Sequence, residues 1–225
     1  LLILFFITIL STVGIETNKF NTFIIDKASQ SKNVDLELNV IKFKLDFKEL
    51  SLFLETEKPK INFKDNLIPA QSIKVYTDFI SLLKSDLKIR KISLVLKELN
   101  ITELNNLSAI IKPSNFKSLL NNKIEEGKLV SEIEIFLNNQ GDLENYIARG
   151  KVKGLKLELT NDFKLTGVDF DFFGDKSDIL IKNIFGKIDN INISQGDIKI
   201  NLDDGIKLES NFNSKFDFDE NFLKK

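Results

Sequence analysis

A chain of 225 residues with 42% hydrophobic content suffices for one ordinary domain, or one or two modules of a larger protein, with substantial apolar faces. The 32 Lys+Arg nearly cancel the 33 Asp+Glu, so no sustained field exists to hold nucleic acid or an anionic membrane. With no Cys and no His, the chain cannot build thiolate or imidazole metal sites, Cys–His or Ser–His nucleophile pairs, disulfides or a histidine pH switch.

The N-terminal stretch Leu1 to Ile15 (LLILFFITILSTVGI) carries no charge, and its apolar residues surround a helix rather than marking one stripe. At ~1.5 Å per residue it would reach roughly 22 Å, short of a ~30 Å hydrocarbon core. The expectation is a truncated transmembrane anchor over residues 1–16, with a cleaved signal peptide as the rival reading through Ser11, Thr12 and Gly14. A chain without any Met is expected to be a fragment or a trimmed product. Lys outnumbers Arg 30 to 2 and Phe reaches 20, as AT-rich codon usage produces, so Lys-for-Arg choices carry no functional signal.

Past the anchor the pattern is amphipathic strand. Val34 to Phe47 (VDLELNVIKFKLDF) alternates apolar with polar and slips phase between Val40 and Ile41, which predicts a bulge or tight bend. Strands follow at Leu50–Leu54, Ile61–Phe63, Ile73–Tyr76 and Leu87–Leu96, the last slipping phase between Ile89 and Ile92. Asp78–Lys84 predicts a short helix, and Thr102–Asn122, with Pro113 at a first turn, predicts one or two more. The expected organisation is therefore an anchor (1–16), an N-terminal β region (17–112), a helical connector (113–127) and a repetitive antiparallel β region (128–225).

Nine of the ten glycines lie from Gly127 onward, and no proline follows Pro113. Strands are predicted at Lys128–Leu137, Ala148–Leu159, Phe163–Phe172, Ile179–Phe185, Ile188–Ile193, Ile198–Leu202 and Ile206–Phe212, with a last one near Phe216–Phe218. They are separated by turns at Asn138–Asp142, Asn161-Asp162, Gly174-Asp175, Ser194–Asp197 and Asp203-Asp204-Gly205. Short connections force antiparallel neighbours, and no stretch after Asn122 reads as a helix able to cover the sheet. Each strand then has one charged and one apolar face. A second sheet, closure of the sheet on itself or bound lipid could cover the apolar one. Ile133, Ile135, Leu155, Leu157, Phe170, Phe172, Ile191, Ile193, Ile198 and Ile200 are the candidate lining residues. They fill a sandwich core on one reading and line a half-pipe for acyl chains on the other.

Two segments carry a family resemblance. The strand pair VDLELNVIKFKLDFKELSLFL, the strand and helix IPAQSIKVYTDFISLLK, and the strand LKIRKISLVL follow the apolar N-terminus. The later GDLENYIARGKVKGLKLEL and FDFFGDKSDILIKNIFGKIDNINISQGDIKINLDDGIKLES complete a pattern that resembles the AsmA-like proteins. The resemblance implies a mainly β chain whose long antiparallel sheet curves into a groove, with one N-terminal transmembrane helix and a few short helices. It further implies a single-pass anchor in the inner membrane of a Gram-negative bacterium, a periplasmic groove, and passage of phospholipid toward the outer membrane. Partners on this reading are phospholipid, the inner membrane and outer-membrane or periplasmic proteins, with no nucleic acid.

Other chemistry is weaker. Asp169/Asp171 and Asp217/Asp219 share a strand face as paired carboxylates would, yet the flanking Phe170 and Phe172 mark them as the wet face. Asp203-Asp204-Gly205 and Asp189-Asn190 offer hard oxygen ligands on turns without the spacing of a calcium loop. No phosphate-binding GxxxxGK[ST] loop occurs. The expectation is a protein with no catalytic residue, metal or cofactor. The alternative function is an outer-membrane assembly factor with a closed β-sandwich core and no lipid path.

Overall fold

The computed structural model describes residues 1–17, 21–29, 34–46, 51–64, 66–77, 88–108, 123–160, 163–189, 191–203 and 205–215. The chain is mainly β, its strands pair antiparallel throughout the ladders, and two compact units divide it. The first comprises Leu1–Lys97 with Glu132–Ile147, and the second Glu98–Ser131 with Ala148–Lys225.

The first unit opens with α1 (Leu2–Thr12), followed by β1 (Ile15–Thr17), α2 (Asn21–Ser29), β2 (Val34–Glu37), β3 (Ile41–Asp46) and β4 (Ser51–Glu57). β5 (Lys60–Phe63), β6 (Asn66–Ile68), β7 (Ala70–Thr77) and β8 (Ile89–Leu96) complete it with the second half of β10 (Ile124–Leu137). Its main sheet runs β1-β3-β4-β7-β8-β10, and β2-β5-β6 form a small sheet of their own.

The segment expected to be an anchor forms the short helix α1. α1 is 11 residues long, about 16 Å at the helical rise, and no helix among the described residues is long and apolar enough to cross a membrane. The helix stops where the Val13 and Gly14 amides both donate to the Ile9 carbonyl, with Gly14 at φ 79. Residues Ile15–Thr17 then pair with Phe43, Lys42 and Ile41 of β3, so the end of the predicted anchor is strand. α1 is nonetheless strongly apolar at its surface, with Leu2, Ile3, Leu4, Phe5 and Phe6 all exposed.

The phase slip at Val40/Ile41 is a change of sheet rather than a bulge within one strand. β2 pairs with β5, whereas β3 pairs with β4 after the connector 38–40. The slip between Ile89 and Ile92 is a bulge, since Tyr76 pairs with Lys91 and Thr77 with Ile89, leaving Arg90 unmatched. Across the main sheet the register aligns Phe43, Leu54, Val75, Ile92 and Ile135 in one row, and Ile41, Thr56, Ile73, Leu94 and Ile133 in the next. Ile41, Leu54 and Val75 form the buried core of this face, with Ile24 of α2 and Leu38 packed against it. Full burial of each such side chain contributes roughly 1.5–3 kcal/mol.

The second unit contains β9 (Leu99–Asn100), α3 (Ile101–Ser108), the first half of β10, and most of β11 (Leu143–Thr160). β12 (Phe163–Gly174), β13 (Asp178–Ile188), β14 (Ile191–Asn201) and β15 (Lys207–Lys215) follow, in the order β10-β11-β12-β13-β14-β15 with β9 beside β10. α3 starts earlier than predicted because Asn100 and Glu103 make a capping box. The Asn100 Oδ1 accepts from the Glu103 amide at 3.0 Å, and the Glu103 carboxylate accepts from the Asn100 amide at 2.8 Å. The rest of the predicted helical stretch, 109–122, the predicted helix at 78–84 and the strand near Phe216–Phe218 lie outside the described residues, whereas Ile124–Gly127, expected in the helical connector, begin β10. Among the described residues from Ile124 onward there is no α-helix.

Two predicted turns behave differently. The Asp175 carboxylate accepts from the Ser177 and Asp178 amides and reverses the chain between β12 and β13. Ser194–Asp197, by contrast, is no turn but the middle of β14, and the reversal falls at Asp189, φ 49. The predicted strands Ile188–Ile193 and Ile198–Leu202 are therefore the end of β13 and one long β14.

Candidate functional site

The candidate site is the apolar face of the second unit. The register from β11 to β15 aligns Ala148, Gly174, Ile179, Ile200 and Leu208 in one row, and Gly150, Phe172, Ile181, Ile198 and Ser210 in the next. Val152 pairs with Phe170, Leu155 with Val168, Gly186 with Ile193, and Leu157, Leu165, Ile188 and Ile191 form a further row. Eight predicted lining residues are thus brought onto one face: Leu155, Leu157, Phe170, Phe172, Ile191, Ile193, Ile198 and Ile200. The other two, Ile133 and Ile135, lie in the first unit, in the rows that contain its buried core.

Keeping that face continuous needs a correction on almost every strand, because alternation alone would flip it. Register shifts interrupt β11–β12 after Val152, β12–β13 after Thr166 and β14–β15 after Ile193. Gly154 and Gly167 take φ values of 60 and 58 at the first two, and Asn183, φ 55, lies at a second β12–β13 shift between Asp169 and Asp171, each in the left-handed conformation that a bulge residue adopts. Two carboxylates hold the bulges. Asp169 accepts from the Gly154 amide at 2.7 Å, and Asp197 accepts from the Asn183 amide at 3.1 Å. Alternation by itself assigns Asp169 and Asp171 to the wet face. Asp171 in fact accepts from the Asn183 side chain at 2.8 Å and pairs with Lys151 at 3.1 Å, and the Asn183 hydrogen bond, then Lys151, holds its carboxyl below the usual carboxylate range.

Aromatic rings fill the gaps that glycines leave. A Cβ at Gly150 would strike the Val130 carbonyl and the Phe172 ring, and one at Gly196 would strike the Phe212 ring. Each Phe therefore lies across a glycine of the neighbouring strand, a pairing that sequence periodicity did not reveal. Burial is graded over the face. Leu157, Val168, Ile184 and Ile193 are buried, the remaining predicted lining residues of this unit are half-buried, and Leu208 and Phe212 on β15 are exposed. Among the described residues, β12, β13, β14 and β15 pack on one another as sheet neighbours.

The charged face of the first unit departs from expectation. Periodicity assigned it to water, yet Lys44 and Glu55 form a 2.6 Å ion pair with side chains only 17% and 13% exposed. Lys91 stands 4.0 Å from the centre of the Tyr76 ring and 3.5 Å from Glu134, and Phe53 stacks on Tyr76 at 5.2 Å. Long side chains crowded across β3, β4, β7, β8 and β10 shield one another, which alternation cannot show.

No group of three or more acidic side chains that could hold a metal ion occurs among the described residues. Asp189 accepts from the Lys164 amide of β12 at 3.3 Å, and the Asp203 amide donates to the Asn201 side chain at 3.1 Å. No family model matches the chain, and no curated protein and no solved structure matches it either.

Proposed function

We propose that this chain is a membrane-anchored β-groove that carries phospholipid acyl chains across the periplasm between the inner and outer membranes. The observation that carries the reading is the single apolar face of the second unit. Bulges restore its phase strand after strand, and toward the sheet edge Leu208 and Phe212 leave it exposed. Maintaining one face over five strands at the cost of repeated interruptions is what a continuous apolar wall requires. Bulges also bend the strands that carry them.

The mechanism is solvation rather than bond chemistry. Each methylene leaving a bilayer exposes surface worth about 0.8 kcal/mol, so a wall covering a dozen of them offsets most of the desorption cost while the headgroup stays in water. The exposed apolar surface of α1 supports attachment at a membrane. The AsmA-like resemblance supports the inner-membrane and periplasmic setting.

Photo-crosslinking tests the proposal. Probes at Phe170, Ile198 and Ile200 should capture phospholipid in cells, whereas probes at Lys156, Asp171 and Lys199 on the other face should not. Equal labelling of the two sets would end the lipid reading. The second reading, an assembly factor built around closed cores, is favoured by the first unit, where Ile24 and Leu38 cover Ile41, Leu54 and Val75. It predicts protein rather than lipid adducts from the same probes.

A further inference from the structure

β15 stands last in the strand order of the second unit, and among the described residues no strand lies on its outer side. All nine of its residues are exposed, it contains no proline, and it is paired along its length with β14 on the inner side. Such an edge presents a row of backbone donors and acceptors to any strand of matching pattern.

The side chains of β15 select the partner. Lys207, Glu209, Asn211, Asn213 and Lys215 share one face, while Leu208, Ser210, Phe212 and Ser214 share the face of the apolar wall. We propose that this edge receives a second copy of the same chain, antiparallel and centred on Phe212. A two-fold axis there sets Phe212 against Phe212, Asn211 against Asn213, Ser210 against Ser214, and Glu209 against Lys215, each pair occurring twice except the central one. Opposite charges meet on the polar face, and the apolar faces of the two copies become continuous. Moving the axis to Asn211 sets Lys207 against Lys215 in both halves, and moving it to Ser210 leaves no charge pair. A one-residue slip of the register puts the apolar face of one copy beside the polar face of the other. Complementarity therefore favours the Phe212-centred register, independently of whether the face carries lipid.

Introduced cysteines read the register directly, because the chain has none of its own. Purified full-length Phe212→Cys should form a disulfide-linked dimer with itself. Ser210→Cys alone should not, but mixed with Ser214→Cys it should, since directly opposed residues fall within disulfide reach and the Ser210 pair does not. Lys215→Glu opposes two acidic side chains in both halves and should weaken self-association about tenfold, and the exchange Glu209→Lys with Lys215→Glu should restore it. The Ser210 and Ser214 variants keep Phe212, so loss of its ring cannot mask the result. A chain that stays monomeric with no bridge in the mixed sample overturns the proposal. So does efficient bridging by Ser210→Cys alone, or wild-type association in Lys215→Glu.

Discussion

Replacing Ile200 with Lys separates an open wall from an ordinary core. Ile200 is half-buried on β14, paired with Ile179 on one side and with Leu208, itself 61% exposed, on the other. Complete burial of an Ile contributes roughly 1.5–3 kcal/mol, so losing a half-buried one costs about 1 kcal/mol. A Lys at the same place lays its methylenes along the wall and takes its ammonium to water, adding little more. The expected fall in melting temperature is about 2–4 °C for a protein of this size. Leu54, 2% exposed beneath Ile24 and Leu38, provides the contrast. Leu54→Ala should cost about 3–5 kcal/mol through its cavity, and Leu54→Lys more, because an unpaired charge is buried. Circular dichroism melts of both Lys variants, run beside transfer of a fluorescent phospholipid between donor and acceptor vesicles, decide the matter. Ile200→Lys is expected to melt near wild type and to lose transfer. If it unfolds as Leu54→Lys does, the face is a closed core and the lipid argument fails.

Three further outcomes follow from local geometry. Gly150→Leu should overpack the sheet against the Val130 carbonyl and the Phe172 ring and lower stability by about 1–3 kcal/mol in urea titrations, whereas a substitution at Gly141, with nothing near its Cβ position, should not overpack anything. Asn100→Ala removes the α3 capping box and should cost about 1 kcal/mol, with exchange of the first-turn amides of α3 accelerated in hydrogen-exchange measurements. The Ser177 and Asp178 amides hold the Asp175 carboxyl below its ordinary value. A depressed carboxylate stabilises the fold above its unfolded-state pKa of about 4, and that contribution disappears as pH falls through the lower folded value. Unfolding midpoints should therefore decline on acidification below about pH 4, and Asp175→Asn should lose its share at neutral pH and show a shallower decline.

Strand positions and faces were legible in the sequence because side-chain direction alternates along the strand itself. Within the described residues, Val34–Glu37, Ile41–Asp46, Ile89–Leu96, Ile124–Leu137, Leu143–Thr160 and Phe163–Gly174 are strands where alternation places them, and eight of the ten lining residues share one face. Where sequence reading erred, a nonlocal partner decided. Ser194–Asp197 looks like a turn, but its pairing with β15 keeps it in a strand and absorbs the extra residue as a bulge. Ile15 and Glu16 read as the end of the anchor, but β3 offers them a strand to join.

The sequence by itself determined that this is a β chain of alternating faces without thiol or imidazole chemistry, since composition and period are local properties. Only the tertiary structure decided which strands adjoin, that Asp169 and Asp197 cap bulge amides on neighbouring strands, that Phe172 and Phe212 cover glycines, and that Lys44, Glu55, Lys91 and Glu134 leave water together. Each of these depends on register, which is set by the summed fit of residues far apart in the chain and has no signature in any short window of it.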